Sequence, residues 1–112
     1  MTFDPFDVVA VPFPFTDTAA AKRRPALVVS AKAFNARHDQ IVLTMITVAR
    51  RSDWPSDIVI EEWAKAGLTV PCRVRLKLFT LDTALVIGRI GALAKHDRDG
   101  VRQALARYLA VA

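Results

Sequence analysis

The stretch IVLTMITVA, residues 41–49, decides the fold class of this chain. It contains no turn former, and β-branched side chains stand at Ile41, Val42, Thr44, Ile46, Thr47 and Val48. Such residues lose rotamer freedom in a helix and pack well on a pleated surface. The run is short for a helix and of ordinary length for a buried strand, so it reads as the central strand of a sheet.

The segments on either side agree. PALVVS (25–30) is a second apolar, β-branched run, read as a short strand opening at Pro25, where a strand tolerates proline. Upstream, FDVVAVPFPF (6–15) is a strand with an irregular end, because Pro12 and Pro14 cannot donate to a ladder and belong at an edge or bulge. TDTAAAKRR (16–24) reads as a loop, and AKAFNARHDQ (31–40) as a polar connection with room for one helical turn. Downstream, RRSDWPSD (50–57) is a loop, IVIEE (58–62) a short strand, and WAKAGL (63–68) a helical turn closed by Gly67. CRVRLKLF (72–79) alternates strictly, with Arg73, Arg75 and Lys77 on one face and Val74, Leu76 and Leu78 on the other. LDTALVIGRIGALA (81–94) holds one more strand, bent or bulged at Gly88 and Gly91. The period then changes: Val101, Leu105, Tyr108, Leu109 and Ala112 follow helical spacing, and Asp97 or Asp99 can cap that helix. Five or six short strands and a C-terminal helix make a mainly β domain, a small, strongly bent barrel-like sheet with the helix packed on it.

The chain has 112 residues, enough for a single domain spanning 1–112, and 53% of them are hydrophobic, which excludes a disordered tail. No apolar run approaches the roughly 20 residues of a membrane span. The opening MTFDPFD carries acids and prolines where a signal peptide carries basic and apolar residues, so a cytoplasmic location is expected and no membrane partner. Cys72 is the only cysteine, and with His38 and His96 it makes no convincing metal site; no metal and no cofactor are expected. The sequence has no GxSxG, Walker, HExxH or glycine-rich dinucleotide motif.

What it does have is positive charge. The formal net charge is +5, and 11 of the 16 cations are arginine, whose planar fork binds phosphate in bidentate fashion. Lys22, Arg23 and Arg24 are stacked directly before Pro25 at the threshold of a strand. Thr47 lies late in the central strand, and Arg75 and Lys77 share a face of a third. If these strands pair in one curved sheet, the cations and the hydroxyl converge on a patch able to hold a phosphodiester. Each residue also has a plain structural reading. Arg24 can pair with Asp17, Thr47 can be a strand filler, and the stripe of Arg73, Arg75 and Lys77 can be a solvated face.

FDVVAVPFPFTD, KRRPALVVS, MIT, and GL followed by PCRVRLKLFTLD, in this order and spacing, resemble the MazF/PemK toxins of bacterial toxin–antitoxin pairs, and the likeness covers almost the whole chain. That resemblance implies an SH3-like β-barrel with a C-terminal helix, assembled as a homodimer. It implies a metal-independent, sequence-selective endoribonuclease that cleaves single-stranded RNA, chiefly mRNA, by attack of a 2′-hydroxyl on the adjacent phosphorus. A cognate antitoxin is the implied partner. The family's "RP" arginine falls on Arg24 and its strand-end threonine on Thr47, the two catalytic candidates. Lys22, Arg23, Arg75, Lys77, Phe15 and Asp17 are the candidate RNA-binding residues. Some members place an acid in the loop before the "RP" arginine, where this chain has AAAK with Asp17 as the nearest acid; some place one after the "VR" arginine, where this chain has Lys77. The alternative is a CcdB-like toxin, which resembles this family in fold but poisons DNA gyrase by binding alone.

Overall fold

The computed structural model of the chain describes residues 2–13, 22–50 and 53–110. In chain order the elements are β1 (Asp7–Phe13), β2 (Lys22–Val28), α1 (Lys32–His38), β3 (Gln40–Val48), β4 (Ile58–Val59), β5 (Cys72–Asp82), a 3₁₀ turn (Thr83–Leu85), β6 (Gly88–Ala92) and α2 (Lys95–Tyr108). The strands form one sheet in the order β4-β5-β3-β2-β1-β6, and every neighbouring pair is antiparallel. The segment 41–49 is central as read: β3 pairs along its length with β5 and, from Leu43 to Met45, with β2.

Val8 and Val9 point to opposite faces of β1, yet both are fully buried. The bent sheet therefore serves two cores. One gathers Val8, Leu27, Ile46 and Val74 from the strands, with Ile60, Ala66, Leu93 and Val101 laid over them. The other gathers Val9, Val11, Ala26, Val28, Ile41 and Leu43, with Phe3 and Leu81 against them. Burial on both faces is why β1 and β3 read as nearly continuous apolar runs instead of alternating ones.

β4 and β6 are the two edges of the sheet. The turn after β4, residues 61–67, meets β6 at backbone distance. A Cβ added to Gly91 would stand 2.4 Å from the Ala66 carbonyl oxygen, and one added to Gly67 would stand 2.5 Å from that of Ile90. Gly67 also has φ of 88°, a left-handed conformation that closes the turn as expected. The sheet thus curls into a half-barrel whose seam is covered by a turn. α2 is tied to that turn by Asp97, which accepts from the Glu61 and Glu62 amides at 2.9 and 3.0 Å.

The Asp97 contact corrects the expected helix cap. The N-cap is Ala94 with no side-chain bond, because the Asp97 carboxylate, 3% exposed, is committed to the neighbouring element. Asp99 pairs on the helix surface with Lys95 and Arg102 instead. The helical stripe is right at Val101, which is buried, whereas Tyr108 is exposed. Pro12 is not on an edge strand, since β1 lies between β2 and β6. Yet Ala10 accepts from Ile87 on the β6 side, and Pro12, facing the same way two residues on, lies past the end of that ladder. Its missing N–H costs no strand bond. Among the described residues no helix is long and apolar enough to cross a membrane.

Candidate functional site

β2 starts at Lys22, three residues earlier than PALVVS suggested, because Lys22, Arg23 and Arg24 pair with Phe13, Pro12 and Val11 of β1. Pro25 sits within the strand, but it decides the local shape. Its nitrogen faces β3 and has no proton to give, and the β2–β3 ladder runs only from Ala26 to Val28. The first half of β2 is therefore held by β1 alone. The register of Ala26 opposite Met45, carried two residues further, sets Arg24 across from Thr47, at the point where the two strands have stopped pairing.

On the other side of β3, Thr47 is opposite Arg73 and Met45 is opposite Arg75. Side chains alternate along strands, so Arg24, Thr47, Arg73 and Arg75 share one sheet face, with Lys22 beside them. The same face further along carries Ala26, Val28, Leu43 and Ile41 of the second core. One surface is thus dry at one end and cationic at the other. Arg23 points to the opposite face. Among the described residues no ion pair or hydrogen bond engages the Arg24 side chain, which is half-buried. Phe15 and Asp17, and with them the pairing of Arg24 to Asp17, lie outside the described residues.

The stripe Arg73-Arg75-Lys77 keeps its side but not its regularity. Thr44 pairs with Leu78 and Met45 with Arg75, so Leu76 and Lys77 have no partner on β3. The buried Thr44 hydroxyl donates to the Arg75 carbonyl and seals this bulge. Because two residues are added, the alternation stays in phase, while Lys77 swings out.

The loop before β4 supplies what sequence reasoning missed. Arg75 Nε and one terminal nitrogen donate to the two Asp57 oxygens at 3.1 and 2.9 Å. Arg73 donates to Asp53 and to the Ala49 carbonyl, and lies 3.8 Å from Asp57. Arg75 is only 8% exposed and the Asp57 side chain 4%, so this pair is the floor of the patch, not an open phosphate fork. Trp54 lies against Arg75 and Lys77, its ring 5.0 Å from the Arg75 guanidinium carbon and 5.4 Å from Lys77 Nζ. Burial alone would raise the Asp57 carboxyl. The Arg75 hydrogen bonds, the Trp54 amide and the charges of both arginines outweigh it and hold the group below the ordinary carboxylate range. A signal for this pairing was present: two arginines at i, i+2 on a strand follow two aspartates that bracket a Trp-Pro turn.

The remaining titratable candidates stay outside the patch. Cys72 is buried, burial pushes its thiol up, and it points to the Val70 carbonyl, as an unreactive cysteine does. His38 rests against Phe34 on α1, and His96 pairs with Glu61 at 3.1 Å near the start of α2.

Comparison with known proteins bears on the whole chain. It is similar over its full length to a chain of the MazE–MazF complex from Deinococcus radiodurans, with 20% identity, 100% of both chains covered and a TM-score of 0.77. MazF from the same organism aligns at 21% identity over 99% of each chain, TM-score 0.75. An endoribonuclease from a mycobacterial species, in complex with its cognate antitoxin, aligns at 16% identity over 99% of this chain and 96% of that one, TM-score 0.76. At these identities the likeness is one of fold. No curated protein sequence matches. The family model of the PemK-like, MazF-like toxins, however, matches residues 4–109. The chain belongs to the family of PemK-like, MazF-like toxins of type II toxin–antitoxin systems.

Proposed function

We propose that this toxin is a metal-independent endoribonuclease that cleaves single-stranded RNA, mRNA above all, with Arg24 and Thr47 at the scissile phosphate. The observation that carries the reading is the Arg24 guanidinium, unengaged among the described residues and set on one face with Thr47 where Pro25 ends the β2–β3 ladder. The RNA 2′-oxygen attacks the adjacent phosphorus and gives up its proton. The bond from phosphorus to the 5′-oxygen breaks, and that oxygen takes up a proton. The products are a 2′,3′-cyclic phosphate and a 5′-hydroxyl, so the step consumes no water. Charge builds on the non-bridging oxygens of the phosphorane. A fork aimed at them from a stiff proline-anchored strand needs little reorganisation, and the Thr47 hydroxyl adds a second donor. Asp57, held ionised by two arginines, is a weak proton acceptor, so its part is to position Arg75. The direct test is end-labelled single-stranded RNA incubated with the purified toxin. Cleavage is expected; intact RNA together with inhibition of gyrase supercoiling would select the binding-only alternative, which nothing in the family match or the related folds supports.

Lys22 and Arg23 are exposed and act on the RNA backbone at a distance from the chemistry. Because Arg23 is an exposed charge that projects away from Thr47, Arg23→Ala is expected to leave the chemistry alone but to weaken RNA binding and to lower the slope of log affinity against log salt by about 0.7, the share of one phosphate contact to a single strand. Its cleavage rate at saturating RNA should equal that of the wild type. A salt titration of binding, set beside single-turnover rates, checks both.

The same basic surface would take an acidic segment of a cognate antitoxin, which charge complementarity favours, so that antitoxin displaces bound RNA in a competition assay. We also place the toxin in a homodimer in the cytoplasm. Val29, Val42, Leu78, Leu105 and Leu109 line an open apolar groove between β3, β5 and α2, which a second copy of the chain would cover. Light scattering at micromolar concentration should give twice the 12.4 kDa of one chain. A monomer would count against the assembly.

A further inference from the structure

We infer that Trp54 is a stacking platform for one unpaired base of the bound RNA, next to the scissile phosphate, and so a specificity-determining residue of this toxin. The inference rests on the endoribonuclease reading and adds to it a contact to a base. Trp54 is 38% exposed although two cations already lie against its ring, at 5.0 Å for Arg75 and 5.4 Å for Lys77. An aromatic that large, left open beside the exposed Lys77, offers a nucleotide both of its needs: an apolar plane for the base and charge for its phosphate. Its position is fixed. The Trp54 amide donates to Asp57 at 3.0 Å, the Asp57 amide returns a bond to the Trp54 carbonyl at 2.9 Å, and the Asp57 carboxylate is bound in turn by Arg75. Asp53, one residue before, is held by Arg73. The loop is thus bolted at both ends to β5, so its ring does not have to be ordered when RNA arrives. Its contact with Arg75 ties it to the strand that carries the chemistry: Arg75 is two residues along β5, a backbone separation of about 7 Å, from Arg73, which faces Thr47. A base seated on Trp54 belongs to a nucleotide neighbouring the one whose phosphate meets Arg24 and Thr47. The other tryptophan, Trp63, packs against the first core and offers no such surface.

Binding of a fluorescently labelled single-stranded oligonucleotide tests this without cleavage. The probe carries the cleaved sequence with 2′-deoxyribose at the attacking position, and a matched set lacks one base at a time. Trp54→Ala should raise the dissociation constant by about 5- to 100-fold, and Trp54→Phe should recover most of the loss. In the wild type, one abasic position should cost about as much as Trp54→Ala, and in Trp54→Ala that same position should cost nothing more. Equal affinity of Trp54→Ala for the full probe would overturn the inference and leave the endoribonuclease reading standing. So would a loss in Trp54→Ala that adds to every abasic position, which would make the ring only a prop for Arg75 and Lys77. A folded wild type that binds none of the probes would overturn both.

Discussion

Arg24→Ala is expected to abolish RNA cleavage, with a single-turnover rate lowered by about 100- to 1000-fold, the usual loss for one preorganised donor to a developing oxyanion. The fold should survive. Arg24 is half-buried, it has no ion pair or hydrogen bond from its side chain among the described residues, and its pairing with Val11 is made by the backbone. Arg24→Lys should recover little, because a point charge on a flexible stem cannot reproduce a planar fork held two-pronged on the phosphorane. RNA affinity should change far less than rate, since the contact strengthens as the phosphorane forms. Single-turnover kinetics with circular dichroism as a folding control decide it. Near-normal turnover by folded Arg24→Ala would remove this residue from the active site.

Asp57→Asn should have the largest effect on stability. It leaves Arg75, 8% exposed, without the carboxylate that receives two of its nitrogens, and it loosens Arg73 as well. Removing one member of a nearly buried ion pair is costly, so the melting temperature should fall by roughly 10 °C at neutral pH. The pH dependence has a definite sign. The Asp57 carboxyl is depressed in the folded protein, so it contributes stability fully above its unfolded value, about 3.9, and loses it as pH falls through the lower folded value. The gap between wild type and Asp57→Asn should be widest above about pH 5 and close in stronger acid. Thermal melts across pH 3 to 7 measure this. A pH-independent gap would mean that Asp57 acts through packing and not through its charge.

Most of the framework was legible because it rests on local chemistry. The β-branched run at 41–49, the period change after Asp97 and the left-handed Gly67 each state their element within a few residues. What escaped depends on partners distant in sequence. Asp97 looked like a cap, since nothing near it announces that the Glu61 and Glu62 amides will claim both of its oxygens. The strand start at Lys22 is set by pairing with β1, and the bulge at Leu76 and Lys77 by a buried Thr44 on another strand. At the site, the charge and strand pattern singled out Arg24 and Thr47 and the resemblance gave them their roles, but their convergence was conditional on strand pairing that only the register supplies. The acidic floor of Asp53 and Asp57 and the Trp54 ring were missed for the same reason: despite the spacing of its two aspartates, RRSDWPSD reads as a turn until it folds back onto β5.

The chemistry of the cut ends is the most direct measurement of whether this cationic face performs phosphoryl transfer. Single-stranded RNA cleaved by the purified toxin in excess chelator, with both new termini mapped, should carry a 2′,3′-cyclic phosphate on one fragment and a 5′-hydroxyl on the other. Cleavage that stops in chelator, or that leaves a 3′-hydroxyl and a 5′-phosphate, would contradict the account.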